Sequence, residues 1–181
     1  MSENTDTMGT ILFTKEQIET RAAEIGAQIS KDYEGEEVYL VGTLRGAVVW
    51  MGDIMKNITC DTEIDFIVAS SYGSGTTSSG VVKIKKDLDG DIYGKNVIII
   101  EDIVDTGTTL KYLKEHLADR NPKSIRICTL LDKPSRRIAE IDADYVGFSI
   151  ENLFVIGYGL DLTRNTETFR ILVILKVNKQ L

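Results

Sequence analysis

The sequence is poor in residues that build covalent or metal staples. It has two cysteines and one histidine in 181 residues. Cys60 and Cys128 lie far apart and match no CxxC spacing, so neither a zinc ribbon nor a dithiol redox site is expected. Two lone thiols in a chain this size fit a reducing cytoplasm. His116 has no histidine partner for a metal, and its helical context suits a surface position. Only two prolines and no biased tract argue against a disordered chain. No apolar run approaches the roughly 20 residues that cross a bilayer. The opening MSENTDTMGT lacks a basic region followed by an apolar one, so no signal peptide is expected. Positive charge is also scarce. A net charge of −7 and a pI near 4.8 weigh against a broad basic face for nucleic acid. These absences point to a cytoplasmic protein with neither a membrane nor a nucleic-acid partner.

What is present suits one globular domain spanning residues 1–181. Hydrophobic residues make up 43%, enough for a sizeable core. Residues 1–10 read as a flexible tail. Thr14-Lys-Glu-Gln17 is a capping-box pattern, and Ile18, Ala22, Ile25 and Ile29 follow at helical spacing. Strands are expected at 36–44, 64–71, 96–101 and 124–132, with helices at 47–58 and 110–119. Short β segments are expected at 145–150, 154–157 and 171–176. Strand and helix alternate as in an α/β domain with a mainly parallel sheet flanked by helices. The segment SYGSGTTSSG at 71–80 cannot build a core. Between two strands it reads as a lid on a hairpin rather than a passive linker.

The most informative stretch is VIIIEDIVDTGTTL at 97–110. An apolar strand leads through Glu101 and Asp102 into a Gly/Thr turn at a helix start. Free N–H groups at a helix start bind anions, Gly107 lets the turn tighten, and Thr106, Thr108 and Thr109 add hydroxyls. The GxxxxGK[ST] pattern of a triphosphate loop is absent, so a monophosphate is expected. Carboxylates repel an anion directly. They can, however, accept hydrogen bonds from sugar hydroxyls or hold Mg²⁺. A ribose 5-phosphate would satisfy both halves. A solvated strand end is the plain alternative for an isolated Glu-Asp pair; the DTGTT that follows favours the sugar. Asp105 could equally cap the turn.

This stretch resembles the phosphoribosyl-pyrophosphate signature of type I phosphoribosyltransferases. From about residue 10 to 176 the chain resembles the hypoxanthine-guanine branch. LRG at 44–46 is similar to that family's pyrophosphate loop, SSYGSGTTSSG at 70–80 to its catalytic lid, LLDKP at 130–134 to its purine-reading lysine segment, and YVGFSIENLFVIGYGLD at 145–161 to its purine-binding hood. The resemblance implies the type I fold, with a small hood to which residues 145–181 contribute and a mobile hairpin lid. It implies a purine-salvage enzyme that transfers the 5-phosphoribosyl group from phosphoribosyl pyrophosphate to hypoxanthine or guanine, giving IMP or GMP and pyrophosphate. Asp105 would be the general base. Asp105, Thr106, Gly107, Thr108 and Thr109 would hold the 5′-phosphate, and Glu101 and Asp102 the ribose. Leu44, Arg45, Gly46, Ser71, Tyr72 and Arg170 would meet pyrophosphate. Lys133 would donate to the 6-oxo group, Phe154 would stack on the purine, and Val155 would touch its edge. Glu101, Asp102 and Asp161 would serve Mg²⁺. In the family the LRG loop commonly carries a cis peptide, here Leu44–Arg45, and the assembly is a dimer or tetramer.

The sequence departs from the family after Asp161, where DLTRNTETFR replaces a shorter aromatic run ending in arginine. Arg170 is favoured over Arg164 for pyrophosphate. A different class of reading is a nucleotide-responsive RNA-binding regulator with uracil phosphoribosyltransferase activity. Lys133, Phe154 and the acidic balance speak against it.

Overall fold

The computed structural model describes residues 10–71, 82–160 and 172–174. Strand β1 (Thr10–Phe13) precedes helix α1 (Lys15–Asp32). The expected capping box is formed: the Gln17 N–H donates to Thr14 Oγ1 at 3.3 Å, and the Thr14 N–H donates to Gln17 Oε1 at 2.8 Å. Next come β2 (Val38–Thr43), α2 (Val48–Met55), β3 (Thr62–Ser71) and β4 (Val82–Lys86). Then follow β5 (Asn96–Val104), α3 (Thr108–Ala118), β6 (Ser124–Asp132), a 3-10 turn (Pro134–Arg136), β7 (Tyr145–Ser149), β8 (Val155–Ile156) and β9 (Leu172–Ile174).

Six strands form one sheet in the order β4-β3-β2-β5-β6-β7, parallel except for the β3–β4 pair. Both faces are covered, which is why β2 and β5 read as unbroken apolar runs. Alternate residues serve the two faces. Leu40, Ile98 and Ile100 join Ile18, Ile25, Trp50 and Ile54 of α1 and α2. Val41, Val97 and Ile99 join Leu110, Leu113 and Leu117 of α3. Cys128 lies fully buried on the first face, and burial pushes its thiol up to about 12. A second sheet, β1-β9-β8, is antiparallel and forms a hood. The sequence reading places no strand before Thr14; β1 supplies one, paired with β9.

Asp65 on β3 is an internal tie. It is 6% exposed and accepts the N–H groups of Phe66, Asp89 and Gly90 and the Tyr39 hydroxyl, at 2.7–3.1 Å. Burial alone would raise its pKa. The backbone N–H groups of Phe66 and Gly90, the Tyr39 hydroxyl and the Asp89 N–H outweigh that and hold the carboxyl below its ordinary value.

The strand order sets the site. From β2 the chain crosses outward to β3; from β5 it crosses the other way to β6. The two strands therefore flank a topological switch point, where open α/β sheets bind ligands at the strand carboxyl ends. β5 pairs with β2 only as far as Ile100. From Glu101 to Val104 it pairs with β6 alone. The ladder between them stops there because β2 itself ends at Thr43, so the last four residues of β5 run on past it beside β6.

Candidate functional site

Glu101 and Asp102 stand in this last part of β5, three and two residues short of the strand end. The expectation ended the strand at Glu101. Pairing with β6 carries it on to Val104. Asp105, Thr106 and Gly107 form the turn, and Thr108 and Thr109 begin α3. Gly107 has φ +79 and is the N-cap; no side chain caps the helix. The first amides of α3 therefore keep their donors for something else. Glu101, Asp102, Asp105, Thr106, Gly107 and Thr109 line one cavity of 270 Å³. A larger groove of 840 Å³ lies behind, between α3 and residues 137–144; it lacks both acids and the threonines.

The two acids differ in surroundings. Burial, reinforced by the adjacent Asp102 carboxylate, pushes Glu101 well above the usual carboxylate range. Asp102 Oδ1 accepts the Ile103 N–H at 2.8 Å. Its other oxygen faces Gly46, where a Cβ would lie 1.7 Å from Oδ2. A larger residue there would have to displace the Asp102 carboxylate or the loop.

Leu44, Arg45 and Gly46 follow β2 across the switch point, and the Leu44–Arg45 peptide is cis. Arg45 is exposed. The hood meets this loop directly. Gly157, Tyr158 and Gly159 all have positive φ, and a Cβ on Gly159 would meet the Gly46 carbonyl oxygen at 2.4 Å. The GYG turn is thus a tight seat for the loop on the hood side.

Lys133 follows β6 and is 7% exposed. Its backbone N–H donates to Val104 O at 3.0 Å, tying it to the end of β5. Its ammonium makes no hydrogen bond among the described residues. Burial lowers its pKa; the nearby Asp105 carboxylate partly opposes this, and Arg136 adds to it. Asp105 Oδ1 accepts from Arg136 Nε at 3.1 Å. The sequence reading assigned no role to Arg136 or Arg137. Two adjacent arginines after a proline carry no pattern that distinguishes them from a solvated turn.

Val155 is buried in β8 and Phe154 is 42% exposed beside it; neither lines the cavity, nor do Leu44, Arg45, Gly46, Thr108 or Lys133. Ser71 ends β3. Tyr72, the rest of the expected lid to residue 80, Asp161, Arg164 and Arg170 lie outside the described residues. Among the described residues no group of three or more His, Cys, Asp or Glu is placed to hold a metal, and no helix is long and apolar enough to cross a membrane.

The site can therefore offer an anion an uncapped helix start, offer hydroxyls or a cation two carboxylates, and offer an oxo group a buried ammonium. The chain is similar to several known proteins. The family described as phosphoribosyl transferase domain matches residues 9–163. A hypoxanthine-guanine phosphoribosyltransferase of Streptococcus mutans is 49% identical over 166 residues, covering 92% of each chain. One from Mycobacterium tuberculosis is 50% identical over 157 residues, covering 83% of this chain and 78% of its own. Among solved structures, a hypoxanthine phosphoribosyltransferase of Staphylococcus aureus superposes with a TM-score of 0.91 at 44% identity, covering 97% of both chains. A hypoxanthine-guanine phosphoribosyltransferase of Bacillus anthracis superposes with a TM-score of 0.89 at 42% identity, covering 93% of this chain and 99% of its own. By fold, by the residues gathered at the switch point and by these relatives, the chain belongs to the hypoxanthine-guanine phosphoribosyltransferase family.

Proposed function

We propose that the protein transfers the 5-phosphoribosyl group of phosphoribosyl pyrophosphate to hypoxanthine or guanine, giving IMP or GMP and pyrophosphate. The observation that carries this is the Glu101–Leu110 stretch. There, two acids and an uncapped helix start face one cavity at the switch point. The 5′-phosphate takes the N–H and hydroxyl groups of residues 105–109. Glu101 and Asp102 accept from the ribose hydroxyls. Leu44, Arg45 and Gly46 supply backbone donors to pyrophosphate, joined by Ser71, Tyr72 and Arg170. Lys133 donates to the purine 6-oxo group, Phe154 stacks on the ring and the Val155 backbone meets its edge. Adenine carries an amino group at that position and would leave the buried ammonium unpaired.

The bond between ribose C1 and pyrophosphate breaks with oxocarbenium character, and a purine ring nitrogen bonds to C1. Asp105 accepts the proton that the imidazole ring loses. Its place in the cavity lining, near enough for its charge to act on Lys133, supports this role. A lid over residues 71–80 would exclude water from the reactive sugar.

Two carboxylates beside an anion cradle are a fitting donor set for Mg²⁺, which takes one or two carboxylates plus substrate oxygens. Glu101 and Asp102 would hold one ion, and Asp161 would approach a second on the pyrophosphate side. When bound the metal supplies Lewis-acid neutralisation of the pyrophosphate. Two free thiols support a cytoplasmic location. A homodimer or homotetramer and a single domain over 1–181 complete the reading. The RNA-binding uracil enzyme is not favoured, because the relatives are named for purines and Lys133 is buried.

The test is nucleotide formation with Mg²⁺, phosphoribosyl pyrophosphate and each of hypoxanthine, guanine, xanthine and uracil. Turnover with hypoxanthine or guanine is expected. Turnover with no purine would discard the proposal.

A further inference from the structure

The back of the phosphate loop is built from the segment that carries Lys133. Asp105 O accepts from Arg137 Nη1 at 2.5 Å. Thr106 O accepts the N–H groups of both Ile138 and Ala139 at 3.0 Å. A trans peptide unit points its N–H opposite to its C=O. Anchoring these two carbonyls behind the loop therefore turns the Thr106 and Gly107 N–H groups the other way. That way faces the 270 Å³ cavity, which those residues line and Arg137 does not. Arg137 lines the larger groove on the far side.

Two more observations fix Arg137 in this place. Its guanidinium also pairs with the Asp132 carboxylate, and both side chains are largely buried. Its methylene stem lies against Gly107, where a Cβ would meet Arg137 Cδ at 3.0 Å and Ile141 Cγ2 at 2.7 Å. The side chain thus bridges the last residue of β6, next to Lys133, and the turn that follows β5. A guanidinium suits this, since it offers several donors in a rigid fork.

We propose that Arg137 is a positioning residue for the phosphorylated sugar. It touches no substrate, but sets the direction of the amides that receive the 5′-phosphate. This rests on the cradle reading given above.

The test is steady-state kinetics with thermal unfolding on wild type, Arg137→Leu, Arg137→Lys and Thr109→Ala. Arg137→Leu is expected to raise KM for phosphoribosyl pyrophosphate roughly tenfold, the loss of one charge-assisted hydrogen bond. KM for hypoxanthine should stay within about twofold, because Lys133 keeps its own tie to Val104. Arg137→Lys should fall between wild type and leucine. It carries the test if the leucine variant does not fold. A purely structural residue would lower the unfolding temperature and kcat without separating the two KM values. That outcome, or an unchanged KM for phosphoribosyl pyrophosphate, overturns the inference. Thr109→Ala separates the two readings. If it leaves that KM unchanged, the cradle itself is wrong. If it raises the KM while the Arg137 variants do not, only the role of Arg137 falls.

Discussion

Gly46 and Asp102 touch across the switch point, with room for no side chain on the glycine: a Cβ would stand 1.7 Å from Asp102 Oδ2. One belongs to the loop after β2 and the other to β5. The loop proposed for pyrophosphate and an acid proposed for ribose are therefore set against one another. Gly46→Ala must move one of them. Displacements of about 1 Å at a reacting centre can cost on the order of a hundredfold in rate. A loss of that size in kcat/KM is expected, with far-UV circular dichroism unchanged. Wild-type kinetics would show that the loop can retreat without consequence.

Asp105→Asn keeps the shape of the turn and removes the proton acceptor. A drop in kcat of about a hundredfold or more is expected. KM for phosphoribosyl pyrophosphate should change far less, since the loop carbonyl at 105 still meets Arg137. Stopped-time nucleotide assays give both constants. Near-wild-type kcat would remove the base role.

Lys133 is expected to lose its proton below the ordinary lysine value of 10.5, because burial disfavours its charged form. A lowered lysine pKa means the ammonium donor disappears earlier on the alkaline side. KM for hypoxanthine should therefore rise before pH 10.5 is reached. Lys133→Arg is the matched variant, because arginine stays charged across that range. The purine's own titration is common to both enzymes, so the difference between their profiles reports the lysine. Identical profiles would detach Lys133 from base binding.

Asp65 makes an acid-stability prediction. Its folded pKa lies below its ordinary value of 3.8. Its contribution is therefore fully present above about pH 3.8 and is lost as pH falls through the lower folded value. Asp65→Asn should lower stability at neutral pH by about 1–3 kcal/mol, because buried donors lose a charged acceptor. It should also flatten part of the acid limb. Urea titrations at a series of pH values measure both. An unchanged acid limb would show that other carboxylates dominate there.

The sequence made the lining of the 270 Å³ cavity legible because that lining is contiguous. Glu101 to Thr109 run without a break, and the apolar VIII before them fixes the strand that presents them. The capping box at Thr14–Gln17 was readable for the same reason: both partners lie three residues apart. What was hidden depends on distant segments. β1 is only four residues long and has its meaning through pairing with β9. The closeness of Gly159 to the Gly46 carbonyl joins positions more than a hundred residues apart. Arg136 and Arg137 look like a solvated pair until the 3-10 turn at Pro134–Arg136 folds them back onto Asp105.

β5 keeps β6 beside it to its last residue but parts from β2 at Ile100. Past that point no backbone ladder holds the two strand ends in register, and Gly46 against Asp102 is a bearing point between them. Drift in either segment is free only while it spares that point. Over descent the two are expected to change together there and separately elsewhere.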